Sequence, residues 1–219
     1  MLAYQLTVNF NNILAECQEI LHLPKVGRYL ASRPLKDEVV PGMAINAFHI
    51  NSKGSVAWSL PWGQRGRQRH YLSRTSLSQY EFANPQWADA LSSRRCLIPM
   101  NGFYTWPYGM NQRVLFAIVR TRNEPKSVKE VRARWLTKRR YEMIAGVWGK
   151  SWYYQKLKGQ KGEWLQMNCV LPLVSDEGFP LIVPKNLWWE WMSKPALSNE
   201  STQLSFDPGL FTRYEFCPV

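Results

Sequence analysis

Histidine and cysteine are scarce in this chain of 219 residues, which has three of the first and four of the second. The cysteines, Cys17, Cys96, Cys169 and Cys217, stand far apart with no Cys-x-x-Cys pair among them. Neither a zinc framework nor a disulfide scaffold is expected, and no metal or cofactor. Long apolar runs are also missing: nothing approaches the ~18 continuous apolar residues of a membrane helix. Asn9, Asn11 and Asn12 interrupt the early apolar stretch, which does not fit a secretory leader. Together these absences predict a cytoplasmic protein with reduced thiols and no membrane partner.

Acidic residues are missing from two stretches. Between 65 and 74 there are four arginines, Arg65, Arg67, Arg69 and Arg74, and no acid. Between 120 and 140, nine Lys or Arg face two Glu, which supplies +7 of the net charge of +12. From Asp176 onward the balance reverses to six acids and three bases. One part of the molecule is therefore expected to face polyanions. Eleven tryptophans offer rings on which unpaired bases can stack beside the cationic side chains.

A length of 219 residues fits one domain spanning 1–219, in which roughly 70% of the unfolded surface can be buried. Leu6, Phe10, Ile13, Leu14, Cys17, Ile20 and Leu21 recur at helical spacing, so 9–22 is predicted to be an amphipathic helix. Residues 24–41 read as irregular connection. Short strands are predicted at 43–50, 56–60, 96–98, 102–106, 113–120, 143–148, 164–171 and 181–183. Asn84-Pro85 is a helix start, a capping side chain before a proline at the first helical position, and opens a helix over 86–91. A second helix is predicted over 186–192. The sum is an α+β fold, a mixed sheet with a few covering helices. A basic insertion occupies about 121–141, where only Val128, Val131 and Trp135 are spaced for burial.

The word Arg94-Arg95-Cys96-Leu97-Ile98-Pro99-Met100-Asn101-Gly102-Phe103-Tyr104-Thr105-Trp106 resembles the signature of the SRAP (SOS-response-associated peptidase) family, whose members sense abasic sites in single-stranded DNA. Four weaker words follow the family's order over 34–191. Ala57-Trp58-Ser59-Leu60-Pro61-Trp62 is similar to Arg-Trp-Gly-Leu-Ile-Pro-Ser-Trp, and Leu72-Ser73-Arg74 falls where the family has Asn-Ala-Arg. Ala145-Gly146-Val147-Trp148 is similar to Ala-Gly-Leu-Trp. Phe179-Pro180-Leu181-Ile182-Val183-Pro184, with Trp188 and Trp191 behind it, resembles Met-Pro-Val-Ile-Leu-Pro and its trailing tryptophans. The resemblance implies a β-rich α+β fold whose mixed sheet is curled or barrel-like.

It also implies that the family's chemistry is absent. The family uses an N-terminal cysteine exposed by removal of methionine, and this chain reads Met1-Leu2. The family's asparagine, glutamate and histidine fall on Leu72, Thr105 and Asp176, and Arg74 alone matches. Cys96 and Cys17 are expected to be inert buried thiols rather than replacements. The leading expectation is a catalytically degenerate, DNA-damage-related protein that binds single-stranded or branched nucleic acid without cross-linking it. Its groove would be lined by Trp58, Trp62, Phe103, Tyr104 and Trp106, with Arg65, Arg67, Arg69, Arg74, Arg94, Arg132, Arg134, Lys138, Arg139 and Arg140 on phosphates. Alternatives are a module for a protein partner, regulating or inhibiting a nucleic-acid enzyme through Trp188, Trp189 and Trp191, and a weak abasic-site lyase working through an amine.

Replacing 125–140 by a short turn is expected to leave the melting temperature within a few degrees. Nucleic-acid affinity should fall, and the salt slope should drop by about 0.7 for each phosphate contact removed, as fluorescence anisotropy at several salt concentrations would read.

Overall fold

The computed structural model describes residues 2–5, 13, 17, 20, 38–51, 54–67, 70–105, 114–118, 130, 141–155, 162–193, 204 and 212–215. Eleven strands are present among them: β1 (Leu2–Gln5), β2 (Glu38–Val39), β3 (Ala44–Asn51), β4 (Gly54–Pro61), β5 (Leu77–Ser78), β6 (Arg95–Met100), β7 (Gly102–Thr105), β8 (Val114–Ala117), β9 (Glu142–Gln155), β10 (Glu163–Val174) and β11 (Thr212–Glu215). Two α-helices have their bounds among the described residues, α1 (Pro85–Ser93) and α2 (Trp188–Ser193), with 3-10 turns at Gln79–Ala83 and Lys185–Leu187.

The strands form two sheets. One has six strands in the order β4-β3-β6-β9-β10-β5, and the other has five in the order β11-β8-β7-β1-β2. All pairings are antiparallel except β10 with β5. The expected curled or barrel-like sheet is therefore corrected to two open sheets, each with its own pair of edge strands. The cause lies in the central word. Its strand β6 ends at Met100, the chain turns at the fully buried Asn101, and β7 then runs in the other sheet. Asn101 keeps its carbonyl partnered there, accepting from Ile118 N at 2.9 Å.

The side-chain alternation of strands divides the interior in two. On one face of the six-stranded sheet, Phe48, Leu97, Ala145, Val147, Leu171 and Leu173 pack with Ile13, Cys17, Trp87, Ala90, Trp188 and Trp191 from the helical side. On the other, Ile45, Ala47, Cys96, Ile98, Met100, Ile144 and Val170 pack with Val39 and Phe103 of the five-stranded sheet. The molecule is thus helices, sheet and sheet in layers, and every residue of β6 is buried. Full burial of each large side chain stabilises by about 1.5–3 kcal/mol.

Local rules account for several elements. Asn84 caps α1, its Oδ1 accepting from Gln86 N at 3.0 Å, with Pro85 in the first turn. Ile13, Cys17 and Ile20 are helical, with Ile13 and Cys17 fully buried, in line with the amphipathic pattern. The segment expected as a strand over 181–183 is an isolated bridge, Ile182 to Ile144. β9 and β10 run well past the apolar core expected of them, as a long hairpin. Of the basic insertion only Glu130, helical and exposed, and its last residue Tyr141, half-buried, are described. No helix among the described residues is long and apolar enough to cross a membrane.

Gly146 sets the spacing between β6 and β9. A Cβ there would lie 2.8 Å from Ile98 Cδ1 and 2.9 Å from Cys96 Sγ, whereas one on Gly149 meets no described atom within 4 Å. Gly146→Ala is expected to lower the unfolding free energy by about 1–3 kcal/mol through overpacking. Gly149→Ala should stay within about 0.5 kcal/mol of the parent. Urea titrations followed by tryptophan fluorescence would separate the two.

Candidate nucleic-acid interface

The segment after β4 is laid across the six-stranded sheet by an aromatic anchor. Trp62 is fully buried, and its indole Nε1 donates to Thr75 O at 2.6 Å. Gly63 follows with φ of +103°, a backbone conformation that side chains disfavour, and its N–H donates to Val170 O at 2.9 Å. Arg65 then docks on β9: its N–H donates to Ser151 Oγ at 2.8 Å, and its carbonyl accepts from Trp152 N at 3.2 Å. The result places two guanidinium groups over rings of β9, Arg65 over Tyr153 and Arg67 over Trp152, each 5.4 Å from the centroid. Arg67 is exposed and Arg65 half-buried.

The other expected phosphate contacts that can be placed are engaged within the fold. Arg74 Nη1 pairs with Glu81 Oε1, and its guanidinium lies 5.0 Å over the Trp87 ring. Arg94 pairs with Asp89 of α1, donates from Nε to Trp148 O at 3.2 Å and lies over the Trp148 ring. Both guanidinium groups remain about one-third exposed. Arg95, not singled out by the sequence, is 3% exposed over the ring of Trp191 at 5.2 Å. Burial pulls its pKa down to about 10, against the field of Glu190, so it stays charged at neutral pH.

Three of the expected stacking rings are corrected. Trp62 and Phe103 do not border an open groove, because both are fully buried, and Tyr104 is buried with them. Phe103 instead stacks on Phe116 of β8 at 5.0 Å. Trp62 and Phe103 lie in the apolar cluster between the two sheets, where rings gain most by leaving water. Trp188 and Trp191 also belong to the core, donating to Val183 O and Cys96 O, and of the three tryptophans on α2 only Trp189 is exposed. The side chains of Trp58, Trp106, Arg69, Arg132, Arg134, Lys138, Arg139 and Arg140 lie outside the described residues.

The positions aligned with the family's reactive groups are distributed as follows. Leu2 of β1 is the register partner of Thr105 in β7, so these two are neighbours on the five-stranded sheet. Leu72 is half-buried and packs on Gly63, its methyl carbons 3.1 and 3.2 Å from where a Cβ would stand. Asp176 is exposed, and its Oδ1 accepts from Ser78 Oγ at 3.0 Å and from Tyr80 N at 3.1 Å. Ser78 N donates in turn to Glu81 Oε2 at 3.1 Å. Arg74, Glu81, Ser78 and Asp176 thus form one connected polar chain around the 3-10 turn.

Among the described cysteines, Cys96 and Cys169 are held as thiols rather than thiolates. Cys96 and Cys169 are buried, and desolvation pushes the first well above the ordinary thiol range and the second up to about 11. The sequence reading missed a group of rings on the distal hairpin, the exposed Tyr154 and the half-buried Trp152 and Trp164, with the exposed His70 beside them. Their signal was available as Trp152-Tyr153-Tyr154 followed by Lys156, Lys158 and Lys161.

The chain belongs to the SOS response associated peptidase (SRAP) family, whose model matches residues 78–219. Three crystal structures share its fold. A protein of Bacteroides thetaiotaomicron superposes with a TM-score of 0.62 at 12% identity, over 98% of this chain and 91% of that one. A protein of Bordetella bronchiseptica gives 0.59 at 12% identity over the whole of both chains. A phage-related protein of the same organism gives 0.57 at 14% identity, over 98% of this chain and 93% of that one. No curated protein matches the chain.

His49 supplies a pH signature for this scaffold. It is 1% exposed on β3, with its ring 5.5 Å from that of Trp148, and burial lowers its pKa from 6.5 to about 4. The folded state keeps the imidazole neutral where the unfolded state takes up a proton. Its contribution is therefore complete above pH 6.5 and is lost as pH falls through about 4. Unfolding free energy should fall over that window by up to about 2–3 kcal/mol more in the parent than in His49→Gln, measured by urea titration at each pH.

Proposed function

We propose that this SRAP-family chain is catalytically silent and holds single-stranded or branched nucleic acid without cross-linking it. The observation that carries the reading is what occupies the family's reactive positions. Leu72 is packed on Gly63, the Asp176 carboxylate holds Ser78 and Tyr80, and Leu2 stands opposite Thr105 in a ladder. None of these offers a thiol or an imidazole for capture of an aldehyde. Basic side chains are meanwhile retained, with Arg65 and Arg67 spread over rings of β9, an arrangement that suits phosphate and base together.

Abasic single-stranded DNA incubated with the protein is expected to leave free protein on a denaturing gel. A heat-stable shifted band would overturn the reading, and a band trapped only by borohydride would replace it with an amine-dependent lyase. An unmodified oligonucleotide should bind at low salt and be released by salt, with a slope of about −0.7 per phosphate neutralised.

A further inference from the structure

The hairpin of β9 and β10 continues beyond the rest of its sheet. The β6 ladder on β9 ends at the pair Arg95 and Val147, while β9 and β10 stay paired as far as Gln155 and Glu163. Out there an apolar core no longer needs filling, yet rings collect. Tyr154 and Trp164 are direct register partners with centroids 5.5 Å apart. His70, from the segment after β4, closes on both, 5.1 Å from Trp164 and 5.6 Å from Tyr154. The ring of Tyr154 is accommodated by the bare backbone of Gly162, where a Cβ would stand only 2.0 Å from the hydroxyl oxygen. These contacts fix the three rings and leave two of them open to solvent: Tyr154 is 43% exposed and His70 is exposed, while Trp164 is half-buried; Tyr71, next to His70 in sequence, is 63% exposed.

Charge borders the rings on the same strand. Strand alternation puts Lys150, Trp152 and Tyr154 on one face of β9, and Arg67 lies over Trp152. The described charged side chains of this region are Arg65, Arg67 and Lys150, against Glu163. The seven residues that join the two strands in sequence, 156–162, add Lys156, Lys158 and Lys161 with no acid. A basic or an apolar protein partner would not suit that balance; rings beside cations suit unpaired bases, and a duplex keeps its base faces stacked inside.

We infer that the ring cluster of His70, Tyr154 and Trp164, bordered by Arg67 and Lys150, is a base-stacking ledge for unpaired nucleotides, separate from the Leu2 and Thr105 position. The inference rests on the proposed function and assigns it a site. Each ring presents a face or edge to an unpaired base, and the flanking cations meet the phosphates that connect successive bases.

The test uses the full chain and a fluorescein-labelled oligothymidylate read by anisotropy. Tyr154→Ala and Trp164→Ala are each expected to weaken binding about tenfold with the salt slope unchanged, since stacking releases no counterions. Trp164→Phe should restore most of the affinity. Arg67→Ala should instead lower the slope by about 0.7. Tyr154 is exposed enough for its variant to keep the parent's melting temperature, so the test stands even where Trp164→Ala folds poorly. A blunt duplex should compete poorly. Absence of binding by the parent at low salt would overturn both the proposed function and the ledge. Parental binding that Tyr154→Ala and Trp164→Ala leave intact, or that a duplex abolishes equally well, would overturn the ledge alone.

Discussion

The close approach of β6 and β9 at Gly146 is the constraint on which the rest of the molecule depends. Because no methyl group stands at that position, Ile98 and Cys96 can fill the space above it, and β6 can pair along its whole length with the first half of β9. A central strand buried on both faces must satisfy its backbone through neighbours on both sides, and β3 and β9 supply them. Everything outward from that pair is then positioned by packing: helices on one face, the second sheet on the other.

The polar surface follows from the same frame. The basic residues divide by what the fold asks of them. Arg74 and Arg94 are tied to carboxylates and tryptophan rings at joints between elements, where they hold a turn and a helix in place. Arg65 and Arg67 ride on the segment that Trp62 pins to the sheet, with rings beneath them and solvent above. Exposed pairs of the first kind contribute only about 0–1 kcal/mol each. Their importance is geometric, since they determine which cations remain available to an anion.

Much of this was legible in the sequence, and the misses have physical causes. The Asn84-Pro85 start of α1, the buried helix face at Ile13 and Cys17, and most strand positions follow from capping chemistry and periodicity. The inert character of Cys96 follows from its apolar neighbours. The division into two sheets was not legible, because it hinges on a turn at Asn101 inside a word that reads as strand, turn and strand whichever sheet receives β7. The burial of Trp62 and Phe103 was missed because tryptophan and phenylalanine serve core and surface with the same ring, and only the three-dimensional neighbours decide. The ring cluster of the hairpin draws His70 from a segment 84 residues before Tyr154 and 94 before Trp164, a distance no local pattern spans.

The buried turn at Asn101 carries a further consequence. Residues on either side of it contribute directly to opposite layers, Ile98 and Met100 from β6 and Phe103 from β7, and all three meet in one cluster. A single covalent stretch is therefore shared by both sheets. Neither sheet can peel away as a separate foldon without dragging that stretch out of the other, so the two are bound into one cooperative unit by the chain itself rather than by the strength of any contact between them.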